Sequence, residues 1–592
     1  MKSPLKIFVS LYPLILFIQV NSSTINYFYK SYQNSVHCTA SSPILYPENA
    51  EELQLIVQKA IEEKQTVKVL GSRHSITDVI CTEGIPVSTK FLNKTEVSDD
   101  DTVTVESGAQ LMDVLTTLHE AGKTLIHVPA YGGITIGGAI GTGAHGSSLI
   151  HPTTLSDQIV QLTIINGMGE FETIKDPDEL KAFRVHLGLL GAIVNVTLRT
   201  VPLFKMVVYN YPESESILFD GTSLESARSH DWYQLWWFPN SKSVIVSKGN
   251  YTDDLELSGN AVTNLIPDVT SAEIISGRES FERAQATKNM QGQQALEDFT
   301  KYSLYREVVG KPPIYTETFQ NGTRKFANPA TGFAYRLQAN RCSNKCAWDN
   351  GDSSVFPEES AMAFDAEEMP KVLIKMKGIL EQLPAAFVMI GVFIRFSKAS
   401  DALMSIGTGR DSVHIEWTTP MRYDPYTQPR DGIGAYQAIL QAMVHDHDGR
   451  AHWGKNGQYF FTRDIFLKRV PNLEPFQKMM RKYDPNGIFL NKFGRRLLLE
   501  YDDLSMDPFV KRCALQDYCV CTKSWHCADF QMCTTINGMF PVCRDVLPPP
   551  PVVALPIPKS KYNSLNLTSI HEQLKKEEQD ANNHEISSVG EE

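Results

Sequence analysis

Tyr131-Gly-Gly-Ile-Thr-Ile-Gly-Gly-Ala-Ile-Gly-Thr-Gly-Ala-His-Gly-Ser-Ser148 is the stretch on which the reading of the fold turns, with seven glycines in sixteen residues and one histidine, His145, among them. Residues without a Cβ let backbone approach a large ligand, and their N–H groups can form concave arrays that suit a polyanion. The stretch contains a formal G-x-G-x-x-G at Gly141, Gly143 and Gly146. A Rossmann fingerprint, however, opens a helix directly after a strand, and here Ser147-Ser-Leu-Ile-His-Pro-Thr-Thr154 follows, with Pro152 and β-branched residues against helix. No G-K-[ST] follows, which removes the P-loop reading. The expectation is a glycine-rich loop in a β-rich domain.

Outward from this stretch, Pro47-Glu-Asn-Ala-Glu-Glu-Leu53 predicts a helix with Asn49 as N-cap and Glu52 three residues on. Thr66-Val-Lys-Val-Leu70 predicts a strand running into Gly71-Ser-Arg-His-Ser75, a second glycine-led turn. Alternation over residues 101–108 predicts another strand, and Gln110 to Ala121 an amphipathic helix. Residues 159–165 and 193–200 read as further strands separated by Leu187-Gly-Leu-Leu-Gly191. The fold class is therefore α+β. From about Pro202 aromatic clusters such as Trp232-Tyr-Gln-Leu-Trp-Trp-Phe238 predict a second part built on an antiparallel sheet, with Phe387–Phe396 and His414–Thr418 as partner strands and a helix from Gly434 to His445.

A chain of 592 residues exceeds a single hydrophobic core. Its formal charge of −12 opposes a nucleic-acid partner, which needs a basic face. Residues 1–22 carry Lys2 and Lys6, an apolar run from Ile7 to Val20 and small residues after it, the pattern of a secretory signal peptide. The apolar run is short for a bilayer span, and no later stretch approaches one. Ten cysteines, none in the leader, agree with a secreted, disulfide-forming protein, and six lie between Cys513 and Cys543. Sequons stand at Asn93, Asn195, Asn250, Asn321 and Asn566, of which Asn195 is expected to be buried in a strand. The organisation read from these features is a signal peptide at 1–22, a cofactor domain at 23–204, a substrate domain at 205–500 whose end returns to the first, a cysteine-rich segment at 501–546, and a Pro-rich spacer with a charged, disordered tail at 547–592.

With Gly71 to Ser75, Thr135 to Gly146, Leu187 to Gly191, His452-Trp-Gly-Lys455 and the turn Asp484-Pro-Asn-Gly-Ile-Phe489 in this order, the chain from about Cys38 to Asn491 resembles the vanillyl-alcohol-oxidase-type FAD flavoproteins. Within them it is most similar to the aldonolactone oxidases; the leader and the cysteine-rich end look most like the plant-type L-gulonolactone oxidases. The resemblance implies a two-part FAD-binding domain with an antiparallel-sheet cap domain, and FAD tethered through His74. It also implies a cofactor site of Gly71, Ser72, Arg73, His74, Ser75, Thr135, Gly137, Gly138, Gly141, Thr142, Gly143, His145, Gly146, Ser147, Gly191 and Ile193. A sugar lactone would be oxidised at C2 with molecular oxygen as the second substrate, Ala144 being the position suspected of controlling oxygen access.

Removal of hydride from C2 needs a cation near the developing oxyanion; Lys455 and Arg395 are the candidates by resemblance. The family's E-x-R motif is broken, because Phe393 stands where its glutamate should be. Glu416 and His414, on one face by period-two spacing, are the proposed replacements. Without them a non-catalytic flavin- or carbohydrate-binding protein stays open. A zinc hydrolase using His445, His447 and His452 is the other rival, although Gly449 and Arg450 stand where the H-x-H-x-D-H pattern needs Asp and His. Cys342 with Cys346 and Cys38 with Cys81 are the expected disulfides, although connectivity does not follow from sequence.

Overall fold

The computed structural model describes residues 27–32, 36–261, 328–339, 356–382, 391–421, 446–455, 470–498, 521–527, 531–535 and 541–545, with isolated residues or pairs elsewhere between 280 and 529. The leader, the Cys342–Cys346 pair and the tail after residue 546 lie outside the described residues, as does the helix expected from Gly434 to His445 apart from Ile439 and Met443, which are helical and buried.

The described residues begin with an antiparallel pair of strands, Tyr27–Lys30 with His37–Ala40, the N-terminal hairpin. The helix Ala50–Glu62 follows, and Asn49 caps it by accepting from the Glu52 N–H at 2.9 Å. Its stripe of Leu53, Val57 and Ala60 is fully buried against Val67, Val87, Ile488 and Phe489. Burial of Leu53 and Val57 contributes about 1.5–3 kcal/mol each. Strand Val67–Leu70 pairs in parallel with Ile85–Ser88, and the Val67 N–H donates to the Ile488 carbonyl at 2.7 Å, bringing the C-terminal Asp484–Phe489 turn back to the first part of the chain. Asp484 holds that turn by accepting from the Ile488 and Phe489 N–H groups.

A five-stranded antiparallel sheet runs in the order Thr95–Val97, Thr102–Glu106, Ala192–Arg199, Ile159–Ile165, Phe171–Ile174. Helix Leu111–Glu120 covers it through Leu111, Val114, Leu115 and Leu118, as the periodicity predicted. Asn195 lies within strand Ala192–Arg199 and is half-buried.

The glycine-rich stretch departs from the expected loop. Residues Ile136–Thr142 form a short α-helix, with Ile136, Ala139 and Ile140 buried and Gly143 ending it at φ 69° in the left-handed region. Its glycines are required by crowding rather than by turns. A Cβ on Gly137 would stand 2.9 Å from the Ser107 Cβ, and one on Gly138 would stand 3.0 Å from Thr135 Oγ1.

From Lys205 an eight-stranded sheet takes over, in the order Ala330–Phe333, Lys205–Ser214, Ser243–Thr252, Trp232–Phe238, Val392–Ser397, Ser412–Met421, Phe356–Asp365, Arg450–Ala451. All its neighbours are antiparallel. One face, with Leu235, Trp237, Ile394 and Ile415, joins the large core shared with the five-stranded sheet. Trp232, Trp236, Ile245 and Phe393 form a second core with Met206 and Val208. Disulfides link Cys38 with Cys81, as expected, and Cys521 with Cys533 and Cys527 with Cys543 in the cysteine-rich segment.

Candidate active site

The first cofactor loop is bound to the glycine-rich segment by a reciprocal clip. The Ser72 N–H donates to Thr135 Oγ1 at 3.3 Å, and the Thr135 N–H donates to Ser72 Oγ at 3.2 Å. Gly71 makes this approach possible, since a Cβ there would lie 2.0 Å from Thr135 Oγ1 and 3.5 Å from the Gly138 Cα. Between the two segments lies a cleft of about 860 Å³, partly open to solvent. It is lined by Gly71, Ser72, Arg73, His74, Ser75, Gly137, Gly138, Gly141, Thr142, Gly191 and Ile193 of the expected cofactor residues, and by Ala144.

The remaining expected residues shape the cleft without lining it. Gly143 ends the helix, and a Cβ on Gly146 would strike the His127 ring at 2.4 Å. The Ser147 N–H donates to His127 Nε2 at 3.0 Å, and its hydroxyl accepts from the Phe396 N–H at 3.0 Å. His145 is buried with its carbonyl turned to Arg395. His145, Gly146 and Ser147 therefore join the two sheets.

Sequence reasoning missed Lys68 and His186, both buried in the cleft wall. Burial pushes the Lys68 ammonium down to about 7 against the opposing charge of Asp78. Its Nζ donates to the Leu187 carbonyl at 2.8 Å. Burial, and then the charge of Lys68, takes His186 down to about 3, and its buried Nε2 has no protein partner. A lysine in a Val-Lys-Val strand reads as solvent-facing, so only the tertiary fold reveals it.

A charged cluster stands on the eight-stranded sheet next to the cleft. The strand register sets Phe393 opposite Glu416 and Arg395 opposite His414. Glu416 accepts from Arg395 Nη2 at 2.8 Å and from Lys455 Nζ at 2.9 Å. Arg395 Nη1 donates to the His145 carbonyl at 2.8 Å, and its guanidinium lies 4.7 Å from the Phe393 ring centroid. Phe393 stacks on Trp236, with centroids 3.9 Å apart. Burial would raise the Glu416 carboxyl, but Lys455 and Arg395 outweigh it and hold it down at about 2.

Around these charges lie three buried imidazoles. His414 Nε2 and Ser397 Oγ share a hydrogen bond of 2.6 Å, and the His145 ring lies 3.9 Å from His414 and 5.8 Å from His452. Burial, followed by the charge of Arg395 for His414 and of His414 for His145, keeps both far below the ordinary imidazole value; burial and Lys455 bring His452 to about 3. His414 Nδ1 is buried without a partner. The cluster and the cleft share backbone. Ile76 N–H donates to the Gly454 carbonyl at 2.9 Å, Thr77 Oγ1 donates to the Trp453 carbonyl at 2.8 Å, and Ala144 precedes His145.

Of the zinc reading, His445 lies outside the described residues, and the two described histidines do not come together: His447 turns to Glu368 at 3.7 Å, while His452 belongs to the charged cluster. Among the described residues, the group of metal-type ligands that comes together is Cys521, Cys527 and Cys543, and all three are in disulfides.

The glycine-lined cleft stands beside a buried carboxylate flanked by two cations on this two-sheet scaffold, and the matches to known families make the chain an FAD-dependent oxidoreductase acting on CH–OH donors. Residues 42–175 match the FAD binding domain family. Residues 196–497 match the family described as D-arabinono-1,4-lactone oxidase, and the chain belongs to it. The chain is 26% identical over 524 residues to L-gulonolactone oxidase 5 of Arabidopsis thaliana, covering 83% of this chain and 86% of that one. It is 27% identical over 479 residues to L-gulonolactone oxidase of Bos taurus, covering 78% and 97%. Among solved structures, cholesterol oxidase from B. sterolicum superposes with a TM-score of 0.61 at 15% identity, covering 80% of this chain and 97% of that one. Chitooligosaccharide oxidase gives 0.54 at 12%, covering 78% and 93%. These structures establish the fold: an α+β protein with a two-part FAD-binding region and an antiparallel-sheet region. Among the described residues no helix is long and apolar enough to cross a membrane.

Proposed function

We propose that this chain oxidises an aldonolactone, L-gulono-1,4-lactone or a close relative, at C2, with FAD in the cleft and tethered through His74. The cleft fits that cofactor: two walls brought close at Gly71 and Gly138, where a Cβ would strike Thr135 Oγ1, with Lys68 and the unpartnered His186 Nε2 buried in its lining. When bound, FAD supplies a hydride acceptor, with dioxygen as the final electron acceptor and hydrogen peroxide as its product.

The observation that carries the reading is the Arg395–Glu416–Lys455 triad at the edge of the cleft. Arg395 and Lys455 present positive charge to the C2 oxygen as its proton leaves. His414, kept neutral by burial and Arg395, adds no third positive charge beside the two cations. Glu416 holds the two cations in place and restores, from the neighbouring strand, the carboxylate that Phe393 displaces. The 2-keto product then enolises to an ascorbate-type ene-diol. The stacked Trp236–Phe393 pair beside Arg395 favours, as a second reading, a larger sugar or oligosaccharide as substrate.

The test is anaerobic titration of the yellow protein with L-gulono-1,4-lactone, D-arabinono-1,4-lactone and a panel of oligosaccharides. Bleaching of the flavin band by a lactone supports the first reading, and bleaching by oligosaccharides alone supports the second. A flavin that stays oxidised with every sugar overturns both. We further infer secretion, supported by the charged and apolar pattern of residues 1–22 and by the disulfides. Recovery of the chain only inside expressing eukaryotic cells would overturn it.

A further inference from the structure

His74 is held between two tyrosines from different parts of the chain. The Tyr32 ring lies over it with centroids 4.2 Å apart and planes 30° apart. Tyr131 meets it edge-on at 5.1 Å. Tyr131 can stand there because residue 133 is glycine: a Cβ on Gly133 would fall 2.2 Å from the Tyr131 hydroxyl and 2.4 Å from its Cζ.

Tyr32 comes from the N-terminal hairpin, which straddles the first cofactor loop. On one side the Tyr32 N–H donates to the Arg73 carbonyl at 2.8 Å, while Arg73 Nη1 donates to the Lys30 carbonyl at 3.2 Å. Arg73 itself has φ 60°, a left-handed conformation that a non-glycine residue keeps only when its surroundings enforce it. On the other side the Tyr29 hydroxyl donates to the Ile80 carbonyl and accepts from the Thr82 N–H, both at 2.9 Å. The Cys38–Cys81 disulfide closes the same side covalently. The hairpin is thus a clamp hinged at residues 80–82, with Tyr32 pressing on the imidazole.

We infer that Tyr32, presented by the disulfide-pinned hairpin, is a positioning residue that orients His74 for covalent attachment of the flavin. The inference rests on the His74 tether proposed above. The bond joins an imidazole nitrogen to the C8 methyl carbon of the flavin. Each partner loses one hydrogen, and these two hydrogens, with their electrons, reduce dioxygen to hydrogen peroxide. Orientation matters because a misplacement of about 1 Å can slow a positioned reaction about 100-fold.

The experiment uses the full chain made in a riboflavin-limited eukaryotic host, to which FAD is added in air. Acid-precipitable flavin is followed against time, and binding before bond formation is read from quenching of flavin fluorescence. The expected result is that Tyr32→Ala slows covalent attachment about tenfold or more with wild-type fluorescence quenching. Tyr32→Phe, which keeps the ring, should restore the rate, and the double variant Cys38→Ser with Cys81→Ser should be slow although Tyr32 is present. Attachment at the wild-type rate in Tyr32→Ala overturns the inference while leaving the tether intact, as does failure of Tyr32→Phe to rescue. A loss of FAD binding equal to the loss of attachment overturns it as well, because the hairpin would then shape the cleft rather than aim His74. A wild-type chain that releases all its flavin into acid removes the tether, and the inference with it.

Discussion

The cleft and the charged cluster beside it are built on opposite physical plans. The cleft is mostly backbone: Gly71, Gly137 and Gly138 bring two chain segments so close that a Cβ has no room, and polar side chains such as Ser72 and Thr135 serve to clip the segments together. The charged cluster is all side chain: Arg395, Glu416 and Lys455 come from three separate segments and meet only through strand register and the His452–Lys455 turn. A backbone-built site fails when atoms are added. A side-chain site fails when a charge is removed.

The largest effect should come from Glu416→Gln. The neutral amide takes from Arg395, whose side chain is 9% exposed, and Lys455, 29% exposed, the negative charge that both share in Glu416. Turnover should fall about 100- to 1000-fold, the usual cost of losing one preorganised electrostatic group, with the flavin spectrum unchanged. Stopped-flow bleaching by lactone checks it. Unchanged turnover would show that the cluster is structural and would collapse the contrast.

Acid should expose the same difference by another route. His145, His414 and His452 are neutral and buried in the folded protein, while in the unfolded chain each protonates near 6.5. Their folded values are depressed, so the stability they contribute is complete above pH 6.5 and is lost as pH falls below it. The loss is about 1.4 kcal/mol per histidine per pH unit until the folded value is reached. Glu416, depressed from 4.5 to about 2, adds a further loss across that lower window. Thermal melts of the flavin-loaded protein should therefore fall steeply from pH 6.5 to 4.5. A flat profile would place water among these imidazoles.

Gly71→Ala tests the backbone plan. The added methyl must displace Thr135 Oγ1 from 2.0 Å and break the reciprocal clip. Overpacking of this kind costs about 1–3 kcal/mol, and it should appear as a smaller fraction of purified chains carrying flavin, with turnover of the loaded molecules near the wild-type value. Full loading would mean that the two segments can part without loss of the cleft.

The contrast also explains what could be read before the fold was known. Glycine spacing announces a close backbone approach because the requirement is local, so Gly71, Gly137 and Gly138 were legible in the sequence. That Ile136–Thr142 would coil into a helix was not legible, since its glycines disfavour helix and only the burial of Ile136, Ala139 and Ile140 overrides them. Glu416 and His414 could be placed on one face by alternation, yet their partners follow from the pairing of Phe393 with Glu416, a register that no single strand encodes. Lys68 and His186 escaped because their burial is set by residues distant in the chain: the Leu187 carbonyl 119 positions away from Lys68, and Gly141 against the His186 ring.

Ser397 gives the smallest effect and separates positioning from chemistry within the charged cluster. Its hydroxyl shares a hydrogen bond of 2.6 Å with His414 Nε2, and both residues are buried. Ser397→Ala removes that partner without altering any charge, so about 1 kcal/mol of stability should be lost. If His414 takes the C2 proton, the hydrogen bond also decides which nitrogen carries the resting proton, and its loss should move the acid limb of the kcat profile while leaving KM close to the wild-type value. Lactone oxidation by Ser397→Ala, followed from neutral pH down to the acid limit of the folded protein, distinguishes the cases. A profile parallel to the wild type at lower stability would assign His414 to packing and leave proton removal to another group in the triad, whereas a displaced limb would place the imidazole on the reaction path.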